Sequence, residues 1–121
     1  MNYVIAALIG LVGGISSGLF GVGGGVVMVP AMLLFTTLAI RDTQQAVGTS
    51  LLVIIPTAII GVIRHKTLGN INWPVALMLV PGAILGGWIG ATLTRDISSD
   101  NLKRLFGGFI ILIGCRLLFW K

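Results

Sequence analysis

Four of the five residues from Gly21 to Gly25 are glycine, and a helix that begins just after them would aim its free backbone N–H groups and positive dipole end back at the break. The chemistry this offers is the binding of an anion by main-chain donors. From Met1 to Ile40 there is no acidic or basic side chain. The break therefore falls at membrane depth, where each unpaired backbone group costs several kcal/mol, so it must be buried in protein or line a wet cavity. The competing reading is a tight turn between two helices at the membrane surface. A nucleotide phosphate loop is not implied, because the Gly-Lys-Ser/Thr ending is missing.

Ala46-Val47-Gly48-Thr49-Ser50 sets two hydroxyls beside a glycine at the opening of another helix. Thr49 and Ser50 there either donate to an oxyanion or bond to backbone within the bundle, and Gln44 and Gln45 could assist from the preceding loop. His65, between Arg64 and Lys66, is either a group that titrates near neutrality and influences transport or an interfacial residue at a helix end. Ser16 or Ser17 with His65 and Asp42 could formally make a hydrolase, but nothing around them resembles a nucleophile elbow or an oxyanion hole, so no enzyme is expected. One cysteine, Cys115, and one histidine provide neither a disulfide nor a structural zinc site, and no cofactor is expected. No Asp or Glu lies inside an apolar stretch, so a proton relay or a counter-ion for a cation has no candidate. An anion held by N–H groups and hydroxyls needs no carboxylate, and a negative-inside potential favours its exit by ~2.3 kcal/mol per charge per 100 mV.

These residues must be positioned by membrane helices. At a rise of ~1.5 Å per residue the uncharged N-terminal stretch is longer than one ~30 Å crossing requires, and it should divide at the glycines. A first helix is expected over about Asn2 to Phe20 and a shorter second over about Val26 to Ile40, with Pro30 near its first turn. Thr43 or Asp42 caps a third helix that runs to about Ile63, is kinked by Pro56, and is closed by Arg64-His65-Lys66. After a loop of residues 67–72, Trp73 anchors at an interface. A fourth helix spans about Pro74 to Thr94. Arg95 to Arg104 reads as a charged loop with the helix-start signal Ser99-Asp100-Asn101, and the last helix covers about Leu102 to Trp120.

Composition agrees. Of 121 residues 56% are hydrophobic and 9% charged, against roughly 25% charged for a soluble domain. The mean hydropathy is +1.08. A water-exposed enzyme is excluded on this ground. The net charge of +5 comes from basic residues at or beyond position 41 near the ends of apolar stretches, so it is juxtamembrane charge and not a nucleic-acid footprint. Gly10, Gly14 and Gly18 share one helix face, as do Gly82, Gly86 and Gly90, and both faces invite close helix packing or a dimer seam. A signal peptide would need a basic n-region and a cleavage site, and neither is present. The expected fold class is an all-α integral membrane protein of four to five transmembrane segments with a glycine-rich break near the N-terminus.

The string Gly18-Leu19-Phe20-Gly21-Val22-Gly23-Gly24-Gly25, then Val29-Pro30, then Ala46-Val47-Gly48-Thr49-Ser50-Leu51, then His65 before Gly69-Asn70-Ile71-Asn72-Trp73 resembles one repeat of the sulfite exporter TauE/SafE family of membrane permeases. The glycine-rich fourth helix and the last helix, Leu105 to Phe119, look like that repeat too, so residues 1–121 read as a single one. The resemblance implies export or passage of sulfite, sulfonates and related sulfur-containing anions. It implicates Gly21, Gly23, Gly24 and Gly25 in the substrate cavity with Thr49 and Ser50 at the adjoining helix start; Gln45 and His65 complete the candidate set. It also implies a bacterial-type plasma membrane. Family members commonly carry two such repeats, so a complete path requires two copies of this chain or a homologous half-length partner. If five segments cross, Arg41, Arg95, Lys103 and Arg104 face Arg64, Lys66, Arg116 and Lys121 across the bilayer, a balance that fixes no orientation and suits an antiparallel homodimer. If the short second helix enters and leaves on one side, four crossings remain and a parallel dimer follows. The rival reading is a structural subunit of a larger membrane complex that transports nothing itself.

Overall fold

The uncharged N-terminal stretch folds as two antiparallel helices, α1 (Tyr3–Phe20) and α2 (Gly25–Leu34), in a computed structural model that describes residues 3–35 and 40–120. Gly21 donates its N–H to the Ser17 carbonyl as the last helical bond of α1, and the chain then turns back, so that Gly24 lies against the carbonyl of Gly13. Positive φ at Gly21, Gly23 and Gly24 makes the reversal possible, since each would be strained for a residue with a side chain. From Gly24, α2 runs back along α1, with Met28 lying across Gly13 and the side chains of Met28, Val29 and Met32 buried with Ile9.

The second helix is shorter than expected. Phe35, with φ −94° and ψ 85°, leaves helical geometry while its N–H still bonds to the Ala31 carbonyl. The expected extension to Ile40 falls largely on residues 36–39, outside the described residues. Pro30 sits inside α2 and not in its first turn, because α2 already begins at Gly25; the Val26 carbonyl thereby loses its usual i+4 donor.

The third helix, α3 (Thr43–Thr67), is capped by Asp42, whose carboxylate accepts the Gln45 N–H at 2.8 Å. It continues unbroken through Pro56 and ends one turn later than expected, because Gly69, at φ 72°, closes it with Gly69 N–H on Lys66 and Asn70 N–H on His65. This is a Schellman closure, which satisfies two orphan carbonyls. In α4 (Trp73–Leu93) the cap is Asn72, bonded to the Val75 N–H, with Pro74 in the first turn. A 3-10 turn at Thr94–Asp96 leads to α5 (Ser99–Phe119). That helix starts inside the expected charged loop, because Ser98 caps it by accepting the Asn101 N–H.

Ser99 is instead spent on α3. Thr43 donates its N–H to the Ser99 hydroxyl at 2.9 Å, and its own hydroxyl reaches the Ser99 carbonyl at 3.0 Å. Beside it Gln44 donates to the carbonyls of Thr94 and Ile97. The starts of α3 and α5 and the end of α4 therefore meet at one end of the bundle. At the other end, His65 of α3 meets Gly18 of α1. α1, α3 and α5 run one way and α2 and α4 the other. The helices alternate in direction, with the glycine segment and α2 turning back along α1, and the described ends lie at opposite faces.

The core is small: Ile9, Met28, Val29, Met32 and Ala46, with Phe106 of α5 packed against it. No residue of α4 is buried, and large apolar side chains are exposed along α1, α3, α4 and α5. Three helical segments, Tyr3–Phe20, Thr43–Thr67 and Trp73–Asp96, are long and apolar enough to cross a bilayer, and α2 with 10 residues is not. The protein is an all-α integral membrane protein. Lys66 lies 6.0 Å from the Trp73 ring and Arg116 stacks 4.1 Å from the Trp120 ring, so both tryptophans mark the same end, as interfacial anchors do.

Candidate functional site

The inner end of the glycine break, Gly23 to Gly25, lies at mid-height of the helices that flank it. Gly13, which Gly24 touches, is ten residues from the start of α1 and seven from its end. Ile54, which Gly23 touches, is eleven residues from the start of α3 and thirteen from its end. The start of α2 is placed between two long helices and well inside their span.

Each glycine contributes differently. A Cβ on Gly24 would meet the Gly13 carbonyl oxygen at 2.5 Å, and backbone cannot move aside as a side chain can. On Gly23 it would stand 3.2 Å from the Ile54 side chain, and on Gly25 3.5 Å from both Ile54 and the Ser50 hydroxyl. Gly21 is exposed and has open space around it. Gly23 and Gly25 are thus brought beside Ile54, with Ser50 next to Gly25, while Gly24 is seated on Gly13.

The α2 N-terminus has no side-chain cap, because its cap residue is Gly24. The Gly24 carbonyl accepts the N–H groups of Val27 and Met28, while no described residue accepts from the N–H groups of Gly25 or Val26. Two main-chain donors and the positive end of a helix dipole therefore remain available at mid-height. All three carboxylates are remote: Asp42 caps α3, Asp96 is in the 3-10 turn and Asp100 is in the first turn of α5. This arrangement favours negative charge at the break, and no metal-binding group of His, Cys, Asp or Glu occurs among the described residues.

Ser50 is buried, at 3% exposure, and its hydroxyl donates to the Val47 carbonyl at 2.8 Å. Its one proton is committed to its own helix, so it must rotate to donate elsewhere. Thr49 is half-buried and its hydroxyl makes no hydrogen bond among the described residues. The expectation that these hydroxyls lie at a second open helix N-terminus is corrected. α3 begins at Thr43, nearly two turns earlier, and its terminus is already filled by the Asp42 carboxylate and the Ser99 hydroxyl.

Gln45 and His65 are not at the break. Gln45 is exposed at the start of α3, where its side-chain oxygen accepts the Arg41 N–H at 2.7 Å. His65 is at the far end of the same helix, with Nε2 2.9 Å from the Gly18 carbonyl and Nδ1 3.2 Å from the Asn70 amide.

Gly13, Met28 and Ile54 were missed by the sequence reading. Gly13 is one residue off the Gly10, Gly14, Gly18 stripe and is the glycine that packs; those three face an open groove of about 510 Å³ between α1 and α3, with Thr57 and Arg64 opposite. The available signal for Ile54 was its i+4 spacing from Ser50.

The sequence profile of the family described as "Sulfite exporter TauE/SafE" matches residues 4–121. "Probable membrane transporter protein YunE" of Bacillus subtilis is 39% identical over 119 residues, covering 98% of this chain and 41% of the relative. "Probable membrane transporter protein YdhB" of the same organism is 31% identical, over 98% of this chain and 47% of its own. "Probable membrane transporter protein MamO" of Magnetospirillum gryphiswaldense is 30% identical, over 93% of this chain and 19% of its own. The chain spans about two-fifths of the length of the first of these. No solved structure matches it.

Proposed function

This chain belongs to the sulfite exporter TauE/SafE family, and we propose that it is one repeat of a permease for small sulfur-containing anions such as sulfite or sulfonates, residing in a bacterial-type plasma membrane. The observation that carries the reading is the uncapped start of α2 at mid-height, with the N–H groups of Gly25 and Val26 free, Ser50 alongside and no carboxylate near. A half-helix that begins at the bilayer midplane is the arrangement by which secondary transporters hold anionic groups. Gly23, Gly24 and Gly25 shape the site, the free N–H groups of Gly25 and Val26 face the anion, and Ser50, after rotation of its hydroxyl, and Thr49 supply further donors. The chemistry is binding and passage, without a covalent step.

One repeat leaves α4 without a buried residue and an open groove along α1. A second repeat, from another copy of the chain or a homologous half, completes the path. The described ends lie at opposite faces, so two repeats related by a two-fold axis in the membrane plane would direct both glycine breaks at one cavity.

Flux of labelled sulfite in proteoliposomes of the purified chain tests this reading. Uptake that follows a potassium-diffusion potential and needs no pH gradient is the expected result. Absence of flux for sulfite and sulfonates, in a folded dimer, would favour the structural-subunit reading.

A further inference from the structure

We infer that His65 is a positioning residue: it caps the end of α1 from α3 and so sets where the glycine segment of the break begins. The inference rests on the reading of the break as the substrate site. The Gly18 carbonyl would bond to the Val22 N–H if α1 continued, but α1 ends at Phe20, and the last helical bond is from Gly21 to Ser17. Gly18 is thus an orphan carbonyl of the last turn, and within the described residues its partner is His65 Nε2, at 2.9 Å.

The rest of the ring is also engaged. A carbonyl oxygen only accepts, so Nε2 carries the proton, and Nδ1 is left to accept from the Asn70 side-chain amide at 3.2 Å. Asn70 is held in place by the helix closure itself, its N–H bonded to the His65 carbonyl at 3.0 Å. The half-buried imidazole therefore has a fixed tautomer and a fixed direction, with no nitrogen left over for an anion.

This matters because the segment between Gly21 and Gly24 is nearly without side chains and cannot anchor itself. Its lower end is seated by Gly24 on Gly13 and by Gly23 on Ile54. Its upper end is held through Gly18, about 16 Å along α3 from Ile54 at ~1.5 Å per residue. Two fastenings to the same helix fix the path of the main chain whose N–H groups face the anion.

The test uses a reporter that does not depend on transport. In a background with Cys115→Ala, Val22→Cys is exposed and its maleimide labelling rate in detergent reads the mobility of the segment. His65→Leu should raise that rate and lower sulfite flux, each by about five- to tenfold, the effect of one hydrogen bond. His65→Gln, whose amide can still donate to Gly18, should restore both to within about threefold. Should His65→Leu not fold, Asn70→Ala reports instead, with a smaller rise in labelling expected. Flux lost in His65→Gln as in His65→Leu, with labelling unchanged in both, would make the ring a substrate ligand and overturn the inference. Unchanged labelling and unchanged flux in His65→Leu would overturn it as well. A labelling response in a chain that moves no anion would leave the positioning role standing and refute the transport reading alone.

Discussion

A methyl group on Gly24 would stand 2.5 Å from the carbonyl oxygen of Gly13, so α1 and the start of α2 touch backbone to backbone with no side chain between them. The contact seats the half-helix at mid-height, and it explains why Gly13 and Gly24 are both buried while Gly10, Gly14 and Gly18 meet nothing within 4 Å.

Gly24→Ala combines a left-handed backbone with a clash against backbone, and should cost about 2–4 kcal/mol. Gly21→Ala, with the same sign of φ but open space, should cost only about 1–2 kcal/mol. Thermal unfolding in detergent compares them. Equal losses would mean that the Gly13 contact is not what holds the break.

Ser50→Ala removes a hydroxyl beside Gly25 whose only described partner is within its own helix, so stability should fall by about 1 kcal/mol or less. Sulfite flux should fall about tenfold, as expected for losing a donor to a charged group. Thr49→Val added to it should abolish flux. Normal flux in the double variant would move the anion site away from α3.

Thr43 and Ser99 share three polar contacts that tie α3 to α5. A double-mutant cycle of Thr43→Val and Ser99→Ala should show a coupling of about 1 kcal/mol in detergent unfolding. Additive losses would indicate that the two starts are held by the Gln44 bonds and the Phe106 packing without the Thr43–Ser99 pair.

Arg41, Arg95, Lys103 and Arg104 lie at the end of the bundle where α3 and α5 begin, and Arg64, Lys66 and Arg116 at the other, with Lys121 outside the described residues. The near balance predicts insertion in both orientations. Cysteine tags at the two termini, probed from outside intact cells, should each label in about half the molecules. One fixed orientation would exclude an antiparallel dimer of identical chains and require a homologous partner for the inverted half.

The helices themselves were legible in the sequence because their causes are local. Apolar length, a break at Gly21 to Gly25, Asp42 before Thr43 and Trp73 beside Pro74 act within a turn or two of the chain, and the fold class followed from them. The start of α5 was misplaced for a reason that is not local: Ser98 caps α5 while Ser99 is bonded to Thr43, and that bond joins residues 56 positions apart. Four of the candidates, Gly24, Ser50, Gln45 and His65, looked alike as polar or glycine positions in an apolar chain. Only the doubling-back of α2 along α1 decided that Gly24 sits on Gly13 and Gly25 beside Ser50, while Gln45 and His65 are used at opposite ends of α3. The depth of a helix start, and which orphan carbonyl a histidine serves, depend on which helix stands alongside, and no local spacing carries that information.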